Sequence, residues 1–519
     1  MTEEPCREPA GVVSGEIIFQ AQAGCALEIP RPCGIVVFGA SGDLAQRKII
    51  PALYRLCLDK LLPDDFFVLG AARTKLADEQ FRQLMTGVLR EAFPQDFANE
   101  SCQTFVQKLY YAPLDYGDVN AYGTLAARLR LLEEKHGTLG NRIFYLAIPP
   151  TLYETVVLNL GEAGLSRGEG GYSHVVIEKP LGRDLASARN LNAILGRCFA
   201  ERQIYRMDHY LAKETVQNIL MFRFANAIFE PLWNRQYIDH IQITAAESIG
   251  VEHRAGYYEQ AGVIRDMFQN HIFQLLALTA MEAPALFEAG RVRDEKAKVF
   301  RSIRPFNLAR LEETVVLGQY GRGTVGDEEA VAYREEAGVQ PGSLTPTFAA
   351  MRVFIDNWRW QGVPFYLRSG KRLAARKAEV SIHFKPVPHL MFSEALQGGI
   401  EANTLVLRIQ PDEGIGLRLQ VKNPGSRVCL NTVLMDYSYR NVFMLEDYER
   451  VLLDCMQGDQ MLFARGDAVE LTWELLTPII EKLERDTPHD AFPNYPAGAS
   501  GPKEAAALLQ RDGRNWRAL

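Results

Sequence analysis

Short apolar runs alternate with helical segments along the first third of the chain. The runs that predict buried strands are GIVVF, FFVLGA, FVQKLYYAPL, RIFYLAI and HVVIEK, at 34–38, 66–71, 105–114, 142–148 and 174–179. Each run is short and rich in β-branched or aromatic residues, which is typical of strands buried in a parallel sheet. Strands that alternate with helices predict right-handed βαβ units, so we expect a doubly wound α/β domain.

The pattern changes beyond about residue 208. Apolar and polar residues mostly alternate in four later segments, at 240–249, 378–387, 403–410 and 416–423. This period of two indicates half-exposed strands, which usually pair antiparallel. Long stretches with helical spacing intervene, among them 263–281 and 448–457. An antiparallel sheet backed by helices fits this second pattern.

Together the two patterns predict a fold of the α/β plus α+β class. Residues 34–207 are expected to form the parallel-sheet domain that binds a dinucleotide. Residues 208–519 are expected to form a larger domain for substrate binding and oligomerisation. Residues 1–33, rich in proline, glycine, alanine and glutamate, are expected to form a loosely attached N-terminal arm.

Composition narrows the classes of function. The net charge of −7 lacks the basic excess of a protein that binds nucleic acid. No run approaches the ~18 uninterrupted apolar residues of a membrane helix, and the acidic N-terminus does not resemble a signal peptide. The eight cysteines form no C-x-x-C pair, which favours reduced thiols over disulfides or a metal site. We therefore expect a soluble cytoplasmic protein.

A glycine-containing turn follows the first predicted strand and opens a helix at 44–58. Its spacing is G-x-x-G-x-x-A rather than G-x-G-x-x-G. Gly39 permits a tight turn, Gly42 lets the backbone approach a pyrophosphate, and Ala45 allows close packing of helix on strand. A plain strand-to-helix turn is the alternative. The residues predicted to bind the dinucleotide here are Gly39, Ala40, Ser41, Gly42, Asp43, Leu44 and Ala45.

The end of the second predicted strand favours NADP over NAD. Proteins that bind NAD usually place an acid there for the ribose 2′-hydroxyl, whereas NADP-binding proteins tolerate arginine. This chain has Arg73 and Thr74 and no acid until Asp78. Arg73 is expected to pair with a 2′-phosphate, and Ser41 to add a hydroxyl donor. A solvated arginine in a loop is the alternative.

Ligands of doubly wound sheets lie at the carboxyl ends of the strands. This rule nominates Asp115 and Tyr116 after the third strand, Pro149 after the fourth and Lys179 after the fifth. Ordinary turn residues are the alternative for Asp115 and Tyr116. Pro180 restricts Lys179 to an extended backbone, which would hold its side chain where cofactor and substrate meet.

The segment YRMDHYLAKETVQN, at 205–218, concentrates an acid, a histidine and a lysine. His209 and Lys213 are four residues apart and would share one face of a helix. A metal site would need a further ligand at similar spacing, and no H-E-x-x-H motif or cysteine partner exists. A lysine beside His209 and Tyr210 near a helix start instead indicates a phosphate cradle. A surface charge cluster is the alternative.

Several motifs together resemble the glucose-6-phosphate dehydrogenase family. They are GASGDLA, VVIEKPLGRDL, RMDHYLAKETVQN, GVIRDMFQNH, RSGKRLAARKAEV and YERVLLD. The resemblance extends from about Cys33 to the RDGRNW tail. It implies a Rossmann domain and NADP-dependent oxidation of C1 of D-glucose 6-phosphate to 6-phospho-D-glucono-1,5-lactone, in the pentose phosphate pathway. We expect a homodimer or homotetramer.

The resemblance also implies roles for individual residues. His271 would be the general base for the C1 hydroxyl, and Asp208 its carboxylate partner, an arrangement that physical chemistry also favours. The alternative for His271 is a hydrogen-bonded core histidine. The implied ligands of the sugar phosphate are His209, Tyr210 and Lys213. The resemblance implies that Lys179 bridges substrate and nicotinamide. It also implies substrate contacts from Glu247, Asp266 and Gln410, for which a cap or buried hydrogen bond is the alternative. Lys371 and Arg376 are further implied contacts, for which a solvated charged face is the alternative.

One departure from the family concerns a second nucleotide. Animal members carry a structural NADP held partly by an aromatic residue where this chain has Gly416. Arg368, Arg408 and Arg418 remain, and packing or another anion could use them. We expect no second nucleotide at this place.

Two rival functions are less well matched. A glucose–fructose type of oxidoreductase also carries an E-K-P strand end, but the D-H-Y-L-x-K segment is not expected in it. A catalytically silent sensor of NADPH would lose His271 or Asp208, and this chain has both.

Overall fold

The protein folds around two large sheets, one parallel and one mostly antiparallel. The computed structural model describes residues 28–95, 100–168, 170–389, 391, 400–425, 430–439 and 445–519. Most of the predicted N-terminal arm, residues 1–27, lies outside these ranges. The five cysteines within them are free thiols, as their scattered positions predict.

The parallel sheet has six strands. They are β1 Cys33–Phe38, β2 Phe66–Ala72, β3 Leu109–Pro113, β4 Arg142–Leu146, β5 Ser173–Ile177 and β6 Ile204–Arg206. Their order, β3-β2-β1-β4-β5-β6, reverses direction between β1 and β4. The reversal opens a crevice at the carboxyl ends of the strands, where doubly wound folds bind nucleotides. The predicted parallel sheet is thus confirmed.

Helices cover both faces of this sheet, because alternate residues of β1 enter separate cores. Ile35 and Val37 pack on one face, and Val36 and Phe38 on the other. The α-helices within the described ranges are α1 Ile50–Leu58, α2 Asp78–Ala92, α3 Glu100–Gln107, α4 Val119–His136, α5 Tyr153–Glu162, α6 Leu185–Cys198, α7 Glu214–Phe224, α8 Ala255–Val263, α9 Phe273–Ala280, α10 Ala289–Ser302, α11 Asp447–Gln457, α12 Gly466–Asp486 and α13 Lys503–Gln510.

The strand predicted at 105–114 is partly wrong, because its first residues belong to α3. Phe105 is fully buried and packs its ring 5.4 Å from that of Tyr54 and 6.1 Å from that of Phe66. A short apolar run does not distinguish a buried helix end from a buried strand. The strand itself begins only at Leu109.

The second large sheet has eight strands. They are β7 Ile238–Ala246, β8 Val315–Gly318, β12 Phe348–Phe354, β13 Pro364–Gly370, β14 Lys377–Phe384, β15 Thr404–Gln410, β16 Gly414–Lys422 and β17 Leu430–Ser438. Two small ribbons pair β9 Tyr320–Gly321 with β18 Tyr495–Pro496, and β10 Gly323–Val325 with β11 Glu328–Ala330. The predicted antiparallel sheet is confirmed except that β7 and β13 run parallel. The long connection between them contains helices, as parallel pairing requires.

A helix that crosses the second sheet carries two of the predicted site residues. The stretch predicted as helical at 263–281 is continuous from Ile264 to Ala280, and its first part, Ile264–Ile272, is a π-helix. Gly262, at φ +59°, is a non-helical residue within α8 and makes a kink just before this stretch. The π-helical part packs against β7, β13 and α12. It carries Asp266 and His271 towards the first sheet.

Helix α11 comes from the end of the chain but packs on the parallel sheet. Its side chains Val451, Leu452 and Leu453 share a core with Ile35 and Val37 of β1. The first residues of α11 therefore lie beside the crevice at the carboxyl ends of the strands.

Candidate active site

The turn after β1 requires glycine at its first position. Gly39 has φ +79°, and a Cβ there would lie 2.2 Å from the carbonyl oxygen of Ala147. Its N–H donates to the carbonyl of Ala71 at 2.8 Å and to the Tyr116 hydroxyl at 3.0 Å. The Gly42 N–H closes the turn on the Gly39 carbonyl at 2.8 Å. The turn therefore leaves no room for a side chain between β1 and β4.

Polar groups gather where β1 and β2 end. The hydroxyls of Ser41 and Thr74 lie 3.2 Å apart. Arg73 is exposed, and its guanidinium makes no hydrogen bond or ion pair to any residue that the structure describes. An unpaired cation beside two hydroxyls can receive a phosphate.

The remaining residues nominated from strand ends have different surroundings. Tyr116 is buried, and its hydroxyl contacts the backbone of Gly39 and Ala71, so it braces the glycine turn. Asp115 is exposed and accepts from the Gly117 N–H at 3.0 Å, as in an ordinary turn. Pro149 is exposed and precedes a single 3₁₀ turn.

His271 and Asp208 form a buried pair. His271 Nδ1 hydrogen-bonds to Oδ1 of Asp208, which also accepts from the Tyr210 N–H at 3.1 Å. Burial alone would raise the pKa of Asp208, but the charge and hydrogen bond of His271 lower it to about 2. Burial also lowers the pKa of His271, an effect that Asp208 opposes. At neutral pH the pair is therefore a carboxylate and a neutral imidazole.

Lys179 faces the other nitrogen of the imidazole. Its Nζ lies 2.9 Å from His271 Nε2 and 3.4 Å from Oδ1 of Asp266. An ammonium only donates, so Nε2 is the acceptor and Nδ1 carries the proton given to Asp208. Burial would raise the pKa of Asp266, but Lys179 and Lys371 hold it well below its ordinary value. Asp266 is thus ionised.

Tyr210 and His209 pack their rings around His271. The Tyr210 ring stacks on the imidazole at 4.3 Å, and the His209 ring meets it edge-on at 4.6 Å. The Gln410 amide, at the end of β15, donates to the Tyr210 hydroxyl at 3.3 Å. Burial and the charge of His271 lower the pKa of His209 well below its ordinary value. His209 therefore contributes a neutral ring.

The helix expected to carry both His209 and Lys213 is absent, because residues 209–213 form turns and α7 begins at Glu214. Lys213 is the residue that precedes the helix. Its Nζ lies 3.2 Å from the carboxylate of Asp447, which begins α11. The lysine still lies over the Tyr210 ring, 5.9 Å from its centroid.

The parallel pairing of β7 and β13 brings two more predicted residues together. Glu247 follows β7, Lys371 follows β13, and their charged groups lie 2.5 Å apart. Arg376 is exposed, and burial raises the pKa of the Tyr210 hydroxyl although the nearby charge of Arg376 opposes this shift. The predicted substrate residues thus surround His271 on one side of the crevice.

Sequence reasoning missed groups that support Lys179. The Glu178 carboxylate accepts from the hydroxyls of Tyr145 at 2.6 Å and Tyr448 at 3.3 Å, and burial raises its pKa. Tyr257 donates to Asp266 at 3.2 Å. Glu178 stands inside the quoted E-K-P motif, which is the one signal that could have identified it.

The arginines considered for a second nucleotide have partners within the chain. Arg368 bonds to Thr244 and to the Arg517 carbonyl, and Arg408 and Arg418 form ion pairs with acids of the same sheet region. Within the residues that the structure describes, no group of three or more His, Cys, Asp or Glu side chains could hold a metal ion. No described helix is long and apolar enough to cross a membrane.

The fold and the site define a class of protein. A glycine turn at the switch point of a doubly wound sheet, facing an imidazole oriented by a carboxylate, is typical of a dinucleotide-dependent dehydrogenase. Two family models match the chain: "Glucose-6-phosphate dehydrogenase, NAD binding domain" over residues 36–218 and "Glucose-6-phosphate dehydrogenase, C-terminal domain" over residues 220–517. The chain belongs to the glucose-6-phosphate dehydrogenase family, as its motifs predict.

Individual relatives agree over nearly the whole chain. Glucose-6-phosphate 1-dehydrogenase of Aggregatibacter actinomycetemcomitans is 47% identical over 489 residues, which cover 93% of this chain and 97% of that protein. The Chlamydia pneumoniae enzyme is 44% identical over 505 residues, covering 95% and 98%. A solved glucose-6-phosphate dehydrogenase in complex with its substrate glucose-6-phosphate superposes with a TM-score of 0.86 at 34% identity, covering 95% of this chain and 100% of that one.

Proposed function

We propose that the protein oxidises C1 of D-glucose 6-phosphate to 6-phospho-D-glucono-1,5-lactone, with hydride transfer to NADP⁺, as the first oxidative step of the pentose phosphate pathway. The observation that carries this proposal is the orientation of His271. Its Nδ1 is committed to Asp208, so Nε2 presents a lone pair towards the crevice. Bound NADP⁺ would supply the hydride acceptor.

His271 acts as the general base. It takes the proton of the C1 hydroxyl at Nε2, and Asp208 stabilises the imidazolium that forms. A positioned base of this kind contributes about 10²–10⁴-fold to the rate. The neutral imidazole is available at physiological pH because burial lowers its pKa.

Lys179 joins the base to the substrate. Its ammonium lies beside Nε2, and Asp266 holds it there. The C1 hydroxyl must take the place of the ammonium on Nε2 before the proton moves. Lys179 is then free to donate to a sugar oxygen, and it remains next to the nicotinamide end of the cofactor site.

The charged pairs of the second sheet bind the sugar. The Glu247 and Asp266 carboxylates accept hydrogen bonds from the sugar hydroxyls, and Lys371 orients Glu247 through its ion pair. Arg376 and Gln410 are the remaining residues on the side of the site that contacts the sugar, which we call the sugar wall. Because Gln410 bonds to Tyr210, it also links the sugar wall to the phosphate end.

Lys213, His209 and Tyr210 receive the 6-phosphate. Lys213 supplies the positive charge, whereas His209 is neutral and contributes a hydrogen bond. Tyr210 stacks on His271, so the phosphate end and the base are rigidly joined. Binding energy at the phosphate can therefore align C1 with Nε2.

The residues at the ends of β1 and β2 fit NADP rather than NAD. Glycine at position 39 keeps the turn tight, because a Cβ there would lie 2.2 Å from the carbonyl oxygen of Ala147. A tight turn at this place lets the backbone that follows it approach a pyrophosphate. Arg73 is an unpaired cation within the described part of the chain, beside Ser41 and Thr74. A ribose 2′-phosphate would satisfy that charge, whereas the 2′-hydroxyl of NAD would not.

Assembly and location are part of the same proposal. Residues 208–519 carry the substrate contacts and the surfaces for self-association, and the protein acts as a cytoplasmic homodimer or homotetramer. Membership of the family supports these statements. Sedimentation equilibrium of the purified protein separates the two assemblies from a monomer.

Absorbance of NADPH tests the function directly. The purified protein should reduce NADP⁺ with glucose 6-phosphate, slowly or not at all with free glucose, and less efficiently with NAD⁺. A folded protein that binds NADPH yet shows no turnover with any sugar phosphate would be a sensor and not a dehydrogenase.

A further inference from the structure

The lysine proposed to receive the phosphate already has an anionic partner. Lys213 Nζ lies 3.2 and 3.3 Å from the two carboxylate oxygens of Asp447, and the two side chains are only 16% and 29% exposed. The ammonium carries a single positive charge. A carboxylate at this distance neutralises it before a phosphate arrives.

The surroundings add to the negative charge. Burial raises the pKa of Glu413, which precedes β16, and the charges of Lys213, Asp447 and Glu214 also act on it. Arg450 is paired with Glu214 at 3.6 Å and with Asp454 at 2.9 Å. The further charges that act on Asp447 are those of Glu446 and Lys48.

A sugar phosphate carries close to two negative charges at neutral pH. At Lys213 it meets the Asp447 carboxylate, and juxtaposed like charges repel one another. The neighbouring carboxylates of Glu413, Glu214 and Glu446 cannot relieve this repulsion. Either Asp447 withdraws from Lys213 or it takes up a proton.

We propose that Asp447 is an internal competitor of the substrate's phosphate, and that it sets the affinity and pH dependence of the Lys213 site. This inference rests on the proposed phosphate role of Lys213. In the absence of substrate the carboxylate holds the ammonium in place. When the phosphate binds, it must displace the Asp447 carboxylate from Lys213.

The direction of the pH dependence follows from burial. Burial raises the pKa of Asp447 in spite of the opposing charge of Lys213. A raised pKa means that the carboxyl becomes neutral at a higher pH than an exposed aspartate. As pH falls through this pKa, competition for Lys213 disappears and phosphate affinity rises. The trend ends when the substrate phosphate itself gains a proton, near a pKa of about 6.

Calorimetric titration of glucose 6-phosphate into the protein tests the proposal. At pH 8, Asp447→Asn should bind glucose 6-phosphate about tenfold more tightly than wild type, a change equivalent to about 1.4 kcal/mol. The difference should shrink as the pH is lowered from 8 towards the raised pKa of Asp447. Glu446→Gln removes the adjacent, exposed acid that does not contact Lys213, and it should change the affinity less than about twofold.

The possible outcomes separate this proposal from the proposed function. If Asp447→Asn binds glucose 6-phosphate no more tightly than wild type, Asp447 does not compete with the phosphate. Binding weaker than wild type would show that Asp447 positions Lys213. The glucose 6-phosphate affinity of Lys213→Ala is measured in parallel. If Lys213 binds the phosphate, this variant must lose glucose 6-phosphate binding. If Lys213→Ala binds normally, both proposals fail. If the Asn variant unfolds, Asp447→Ser removes the same charge with a smaller side chain and takes its place.

Discussion

The Lys179 ammonium lies 2.9 Å from Nε2 of His271, the nitrogen that faces away from Asp208. The imidazole is therefore held between a carboxylate on one nitrogen and a cation on the other. The carboxylate favours the imidazolium and the cation disfavours it, which keeps the base neutral until the substrate hydroxyl replaces the lysine. Because Asp208 and Lys179 act in opposite directions on the pKa of His271, substitutions at the base and at the lysine should have different effects.

His271→Asn should lower kcat by about 10²–10⁴-fold or more, because the general base is lost. The KM for glucose 6-phosphate should change little, since the imidazole acts mainly in the transition state. Steady-state kinetics with NADP⁺ measure both parameters. His240→Asn is the matched control, because His240 is also a buried histidine that contacts an aspartate, 2.7 Å from Asp239, but in the second sheet. Turnover above a tenth of wild type in His271→Asn would exclude this residue as the base.

The pH at which kcat/KM falls on the acid side should depend on the charges around His271. Burial, reinforced by Lys179, lowers the pKa of His271 below 6.5, so the neutral base persists below that pH and activity falls only as pH drops through the lowered value. In Lys179→Met the repelling cation is absent, so the midpoint should move upward. A profile from about pH 5 to pH 8 covers the transition.

Lys371→Met serves as the comparison for this profile. It removes a lysine of the same site that pairs with Glu247 rather than with His271. Its activity should fall, but its acid midpoint should match that of wild type. Equal midpoints in both lysine variants would show that Lys179 does not control the base.

Arg73→Ala should raise the KM for NADP⁺ by about 10–150-fold, which corresponds to the loss of a charge-assisted pair of about 1.5–3 kcal/mol. The KM for NAD⁺ should stay nearly constant, because its ribose carries no 2′-phosphate. Lys75→Ala, a change at an exposed cation two residues away, should leave both values unchanged. Equal losses for the two cofactors in Arg73→Ala would assign the arginine a structural role.

Strands were predictable from the sequence where the hydrophobic periodicity is strong. The prediction missed strands where burial on both faces removes this periodicity. The first five strands of the parallel sheet and β7, β14, β15 and β16 overlap the predicted runs, although β3 begins later than predicted, and the three-residue strand β6 was not predicted. The sequence pattern did not predict strands β12 and β13, because they are buried nearly throughout and show no period of two. Edge strand β8 has only four residues, and edge strand β17 has no fully buried residue, so neither shows a clear alternation of buried and exposed positions.

The site was predictable as a set of residues but not as a set of contacts. Motifs nominated His271, Asp208 and Lys179, and the structure places Asp208 and Lys179 within hydrogen-bonding distance of opposite nitrogens of His271. The ion pair of Lys213 with Asp447 joins residues 234 positions apart, and neither has a local pattern that specifies the other. Such contacts depend on how α11 packs on the parallel sheet. Only the three-dimensional arrangement contains that information.

Lys213→Ala should reduce kcat/KM for glucose 6-phosphate far more than for free glucose, which has no phosphate to lose. Lys213 is the cation that lies over Tyr210, and Tyr210 stacks on His271, so part of the loss should appear in kcat through misalignment of C1. Lys213→Arg should restore only part of the activity, because a planar guanidinium does not replace a compact ammonium. The measurement is kcat/KM for both sugars in wild type and in each variant. An unchanged ratio between the two sugars would mean that another group binds the phosphate, and that the pair Lys213–Asp447 only joins α11 to the loop before α7.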